Sequence, residues 1–293
     1  MTDSLSRIAP GSSLLHRCYW LTPLIFYSAD ANAWGLLTHL YFAQSLLWAM
    51  PLLDPRLQRA IRQFPDLVMA GACLPDLAIV SNTFRHTHLW ENAHQLLASA
   101  QSDEETAIAI GYASHLYVDV IAHNHFVPAY EAMWIERGLV THITAEWAMD
   151  AHLSPLMKQT PGKLLNTYHA HLTDFIAPQF HCSVERTGKA LNKLAFWDNL
   201  LRSVRIPNFI YHGSRFIDRR MGRHFIYYIA RTQSAMADIG SVLEGGRPSW
   251  EAELKHLSDQ ELAVWRRLCR RHLDLLHPAP IDYFSEQVQT NLN

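Results

Sequence analysis

Apolar residues recur at three- and four-residue intervals along most of this chain, the period of helices that each bury one side. Trp34 to Met50 reads as one apolar helix, stopped by Pro51. From Arg56 to Ala70 the apolar positions are Leu57, Ile61, Phe64 and Leu67, an amphipathic spacing. Asp103, Glu104 and Glu105 open a long helix to about His123, because acidic side chains suit a helix N-terminus. Thr141 caps another that runs on to His152. Helical patterning continues from Pro161 to about Ser241, with breaks expected near Pro178, Pro207 and Gly213, and Glu244 to Pro248 reads as a loop. Ser258 and Glu261 have the spacing of a capping box and lead a last helix to about His277. No sustained two-residue alternation and no Asn-Gly or Asp-Gly turn interrupts this pattern, so the fold class is all-α, a multi-helix bundle.

Composition narrows the function. Among 293 residues, 49% are hydrophobic and 18% charged, which is a folded chain. With 25 Lys+Arg against 27 Asp+Glu, the net charge of -2 argues against a protein that binds nucleic acid through its overall charge. The four cysteines (Cys18, Cys73, Cys182, Cys269) are scattered and make no metal-binding knuckle. The apolar stretch from Cys18 to Ala29 is too short to span a bilayer. Arg7 and Arg17 before it and Ala31-Asn32-Ala33 after it outline a secretory signal, but Tyr19, Thr22, Pro23 and Asp30 interrupt its core. The expectation is a retained N-terminal segment (1–33), a helical domain over 34–293 and a cytoplasmic location. Cleavage after Ala33 would instead make Trp34 the N-terminus of a secreted or periplasmic protein.

The unusual count is 18 histidines, eight of them between His86 and His152. His115 and Asp119 stand four residues apart, on one helix face, and His142 and Glu146 repeat that step on a second helix. Either pair alone reads as a surface ion pair. Together, with Glu146 inside an apolar run, they point to metal, because a carboxylate placed in a core needs a partner. His39, Asp76, His86, His88, His123 and His125 are further candidates. Asp76 alone would be a helix cap and His39 alone a core histidine.

In order, Trp34-Gly-Leu-Leu-Thr-His39, Leu74-Pro-Asp76, Thr87-His88, His115-x3-Asp119-x5-His125 and His142-x3-Glu146 resemble the zinc-dependent phospholipase C superfamily, which also includes fungal single-strand-specific nucleases and the glycosylphosphatidylinositol-specific phospholipase D. The resemblance covers about residues 34 to 152. It implies a helical single-domain fold and three zinc ions: Asp76, His88, His115 and Asp119 around one, His125, His142 and Glu146 around a second, and Trp34, His39 and a bridging Asp119 around the third. The third site uses the amino group of an N-terminal Trp34, so an uncut chain leaves a two-metal site as the alternative. Family spacing selects His125 and His88, whereas a straight helix puts His123, not His125, on the face of Asp119. Taking His125 requires the helix to bend or end near Asn124, where Pro128 follows.

The implied chemistry is phosphodiester hydrolysis by a zinc-bound hydroxide, with Asp76 orienting the water or accepting its proton. Glu146 leans toward the phospholipase branch, which implies a phospholipid substrate. A nuclease on the same fold is the alternative, with Trp90, Trp134 and Trp147 as stacking platforms. A helical protein with only a structural metal is the third reading. Arginines beside Leu262, Trp265, Leu268, Leu273 and Leu276 make the last helix either a peripheral membrane contact or a solvated face with its apolar side packed on the domain.

Overall fold

A computed structural model describes residues 35–49, 53–134, 138–248, 250 and 257–276. These form α1 (Leu36–Ala49), α2 (Pro55–Gln63), α3 (Pro65–Gly71), α4 (Leu77–Val80), α5 (Trp90–Ser99), α6 (Asp103–Ile121), α7 (Val127–Met133), α8 (Gly138–Leu153), α9 (Pro161–Thr167), α10 (His169–Gln179), α11 (Val184–Ser203), α12 (Ile206–Ile217), α13 (Met221–Met236), α14 (Ile239–Leu243) and α15 (Asp259–Leu275). Among the described residues there is no strand, and no helix is long and apolar enough to cross a membrane.

The arrangement follows from α6. Ser102 caps it, its hydroxyl accepting from Glu105 N–H, and every residue from Thr106 to Ile121 is buried. A helix apolar on all sides has to be surrounded, and α1, α2, α3, α5 and α13 pack around it. The closest crossing is with α3. At Gly71 and Gly111 the two backbones meet so tightly that a Cβ on either glycine would run into the other helix's carbonyl, from Ile108 or Val68. Only glycine allows that approach, and it sets the height of α6 against the loop that follows α3.

Several expected boundaries move. The helix expected over Arg56 to Ala70 is two helices, because Pro65 restarts the chain after Phe64. Gly213 breaks nothing and lies inside α12; the break precedes that helix, where Arg205 takes a left-handed φ of 57°. The capping box at Ser258 and Glu261 is present and opens α15. The apolar side of α15 is used internally. Trp265, Cys269 and Leu273 are buried, the helix packs on α7, and Arg266 pairs with Glu131 at 2.6 Å.

Candidate metal centre

Five elements bring their histidines and carboxylates to one place around Asp119. On α6, Asp119 Oδ2 lies 3.1 Å from His115 Nε2 and 3.5 Å from His88 Nε2. Its Oδ1 lies 3.3 Å from His39 Nε2 on α1 and 3.6 Å from His123 Nε2, two residues past the end of α6. Asp76 Oδ1 stands 3.8 Å from both His88 Nε2 and His115 Nε2. On α8, His142 Nε2 meets Glu146 Oε1 at 2.7 Å. Three groups have donor atoms within metal-sharing distance: His39, His115 and Asp119; Asp76, His88 and His115; and His123, His142 and Glu146.

Local structure aims each of these side chains. The α3–α6 crossing brings the Ala72 carbonyl 2.8 Å from His115 Nδ1, which makes Nδ1 the protonated nitrogen and leaves Nε2 for the cluster. His39 stacks on the His115 ring with centroids 3.6 Å apart. Thr87 fastens the loop that carries His88. Its hydroxyl donates to Pro75 O at 2.5 Å, and its own carbonyl accepts from the buried Tyr112 hydroxyl. His86, two residues earlier, is exposed and accepts from Arg85 Nε, outside the cluster. Asp76 precedes the short α4 but makes no capping bond; its carboxylate is given to the cluster.

The electrostatics mark the centre as unfinished by protein groups alone. Both oxygens of Asp76, both of Asp119 and both ring nitrogens of His39 are buried without a well-formed hydrogen bond. Burial pushes the Asp76 carboxyl up to about 7, and burial also drives Glu146 well above the carboxylate range. Burial works against charge on Asp119 too, but His115 and His39 outweigh it and hold that carboxyl well below its ordinary value. Burial likewise disfavours charge on His115, and here Asp119 and Asp76 prevail, raising it to about 9. Burial lowers His39. These buried carboxylate oxygens and ring nitrogens lack the partner that burial demands, and a divalent cation is a partner that takes both kinds of donor. His88 and His142 keep 11% and 12% of their side-chain surface, so the centre meets solvent at these two residues.

The structure does not bring His125 into the donor groups around Asp119. The chain does not end at Asn124; it widens into a π-helical turn, Ala122–Phe126, before α7. Pro128 has no N–H to give Asn124 O, and Trp265 Nε1 (2.5 Å) and Cys269 Sγ (3.6 Å) donate to that carbonyl instead. His123 lies at the start of this π-helical turn, four residues from Asp119, and faces the cluster with its ring stacked 5.0 Å from His142. His125 lies two residues further on in the same turn, its ring 5.6 and 5.4 Å from Trp250 and Trp265, and burial takes its pKa down to about 3. Trp34 lies outside the described residues, as does the cleavage point after Ala33.

One residue outside the expected set positions the centre. Asp150, one turn after Glu146 on α8, accepts from Thr38 N–H (2.9 Å), Thr38 Oγ1 (2.7 Å) and Leu37 N–H (3.3 Å) at the start of α1, and pairs with Arg202 at 2.9 Å. A side chain at Gly35 would run into this carboxylate. Asp150 therefore ties α8 to the helix that carries His39. Asp150→Ala is expected to cost about 3 kcal/mol in urea unfolding, since it leaves the first N–H groups of α1 and the Thr38 hydroxyl buried without an acceptor and takes one of two carboxylates from Arg202, which Asp198 still holds at 2.8 Å. A loss under about 1 kcal/mol would show that the tie is not needed.

The model of the family described as zinc dependent phospholipase C matches residues 38–197, more than half of the 293-residue chain and all of the cluster. The chain belongs to that family. Comparisons with curated proteins and with solved structures return no match. The zinc-dependent phospholipases C are hydrolases, and the His, Asp and Glu groups here have the donor set of a metal-binding phosphodiesterase. Buried imidazole and carboxylate donors without protein hydrogen bonds fit zinc, which takes both ligand types.

Proposed function

We propose that this protein hydrolyses the phosphodiester of a phospholipid, as a phospholipase C does, at a zinc centre held by its own buried histidines and carboxylates. The observation that carries the reading is the convergence of three donor groups on Asp119, inside the segment that the family model matches. Asp76, His88 and His115 would hold one ion, and His123, His142 and Glu146 a second. His39 and Asp119 would hold a third together with Trp34. Zinc in such a site supplies Lewis acidity toward a phosphoryl oxygen and lowers the pKa of water.

The residues do the rest. Asp119 presents one oxygen to the His115 side and the other to the His39 and His123 side, so a single carboxylate keeps the groups together. Asp76 offers a buried carboxylate beside the mouth at His88, placed to orient a water or take its proton. Ala72 O and the Thr87 hydroxyl fix the rings of His115 and the His88 loop before any substrate arrives.

A phospholipid is preferred to a nucleic acid on the family match; of the three tryptophans offered as stacking platforms, Trp90 is buried and donates to Trp250 O, and Trp134 and Trp147 are half-buried. Protein purified without chelator is expected to hold about two or three zinc ions per chain by elemental mass spectrometry, as the number of donor groups implies. Assayed side by side, a phospholipid should turn over faster than a single-stranded oligonucleotide. Zinc absent after reconstitution, or an oligonucleotide hydrolysed faster than lipid, would overturn the reading.

A further inference from the structure

We propose that the outer face of α12 docks on the surface of an anionic lipid bilayer. The inner side of this helix is ordinary. Pro207 and Ser214 are buried, Ile210 and Tyr211 pack on the core, and the helix lies along α8. The outer side is the reverse of what water selects. Phe209 is 76% exposed, Phe216 85% and Ile217 81%. Phe209, His212, Gly213 and Phe216 follow one another at helical spacing, so the two phenylalanines share one exposed stripe along the axis. Single exposed apolar residues need no explanation; two phenylalanines aligned on one face of one helix do.

Charge selects the occupant. From Arg205 to Arg223 the chain carries Arg205, Arg215, Arg219, Arg220 and Arg223 against one carboxylate, Asp218, which Arg220 already approaches at 3.7 Å. All five arginines are exposed. They lie at both ends of the apolar stripe in a chain whose net charge is -2, so the basic character is local. A second copy of this face would set arginine against arginine, whereas an anionic lipid surface neutralises them and takes the phenylalanine rings into its interfacial layer. Arg205, Asn208, Phe209 and His212 also line a concavity of about 300 Å³. Its surface is mostly apolar, which continues the apolar stripe rather than adding a separate polar site. α15, also basic, has Trp265, Cys269 and Leu273 packed inside the domain, so its arginines do not flank an apolar stripe of this kind.

The inference rests on this surface and not on the hydrolytic reading, so binding is measured rather than turnover. The zinc-loaded full chain is mixed on ice with phosphatidylcholine vesicles, with or without phosphatidylglycerol, and sedimented. It is expected to pellet with the phosphatidylglycerol vesicles and to be released by salt. Phe209→Ser with Phe216→Ser should weaken partitioning at least about tenfold. Arg215→Glu with Arg219→Glu should weaken it by about fivefold or more for each charge. All four side chains are exposed, and unchanged zinc content and melting temperature check that the variants fold. The proposal is overturned if the wild type stays in the supernatant with both vesicles, or if the variants pellet as it does. Sedimentation velocity that shows a wild-type dimer made monomeric by the phenylalanine changes would assign the face to a second copy instead. Vesicle binding without lipid hydrolysis would count against the functional reading alone.

Discussion

Asparagine at Asp119 is expected to leave at most about one zinc ion per chain and to lower turnover by more than about a hundredfold. A hundredfold is the loss that a disturbed outer partner of a metal ligand can already cause, and Asp119 is more than that. Its two oxygens serve opposite sides of the centre, at 3.1 Å from His115 and 3.3 Å from His39. Asparagine keeps the shape and removes the charge, so the effect reads the charge. It also reaches His115, whose pKa of about 9 depends on Asp119 and Asp76 overcoming its burial. With Asp119 neutral, that histidine loses its main support for a proton, and the metal loses the carboxylate shared between groups. Elemental mass spectrometry and a phosphodiester assay on the same preparation provide the check. A chelator should lower the melting temperature of the wild type and leave that of the variant nearly unmoved, because binding to the native state alone is what stabilises. Full zinc and full turnover in the variant would remove Asp119 from the centre.

Much of this centre was legible because helices turn spacing into contact. The pairs His115 with Asp119 and His142 with Glu146 are one-turn neighbours, and the structure keeps both. The all-α class was legible for the same reason. What escaped the sequence is written in backbone and tertiary contact. The reach from Asp76 to His88 and His115 depends on α3 and α6 meeting at Gly71 and Gly111, and single glycines within a helical pattern do not announce a crossing. Asp150 sits one turn past Glu146 in the same apolar run, a signal of the kind that marked Glu146. Its partners, Thr38 and Arg202, are 112 and 52 residues away, too far for spacing to find. The last helix carried both arginines and an apolar side. Only its packing on α7 shows which way that side faces. The exposed stripe of α12 lay in a region that sequence pattern had divided at Gly213, and a helix cut in two has no continuous face.

Alanine at His123 and at His125 are expected to give opposite results, and the pair decides how the end of α6 meets the metal. His123→Ala should cost about one zinc ion per chain and reduce turnover by more than about a hundredfold, since it takes a donor from the group with His142 and Glu146. His125→Ala should keep the zinc and instead destabilise the fold by about 2 kcal/mol, as loss of a buried ring from a packed site does. The reason is the π turn. Four residues from Asp119 a side chain returns to the same face, whereas six residues carry it well round the helix, to where His125 lies beside Trp250 and Trp265. A kink at Asn124 could have turned His125 inward. The chain meets Pro128 differently, keeping its helical course by giving Asn124 O to Trp265 and Cys269. Family spacing and local geometry thus name different histidines, and zinc stoichiometry separates them. Zinc lost from His125→Ala but kept in His123→Ala would mean that metal binding draws the π turn into the kinked form that the spacing implies. The reversal would then place the cost of breaking the bond from Trp265 to Asn124 within the free energy of zinc binding.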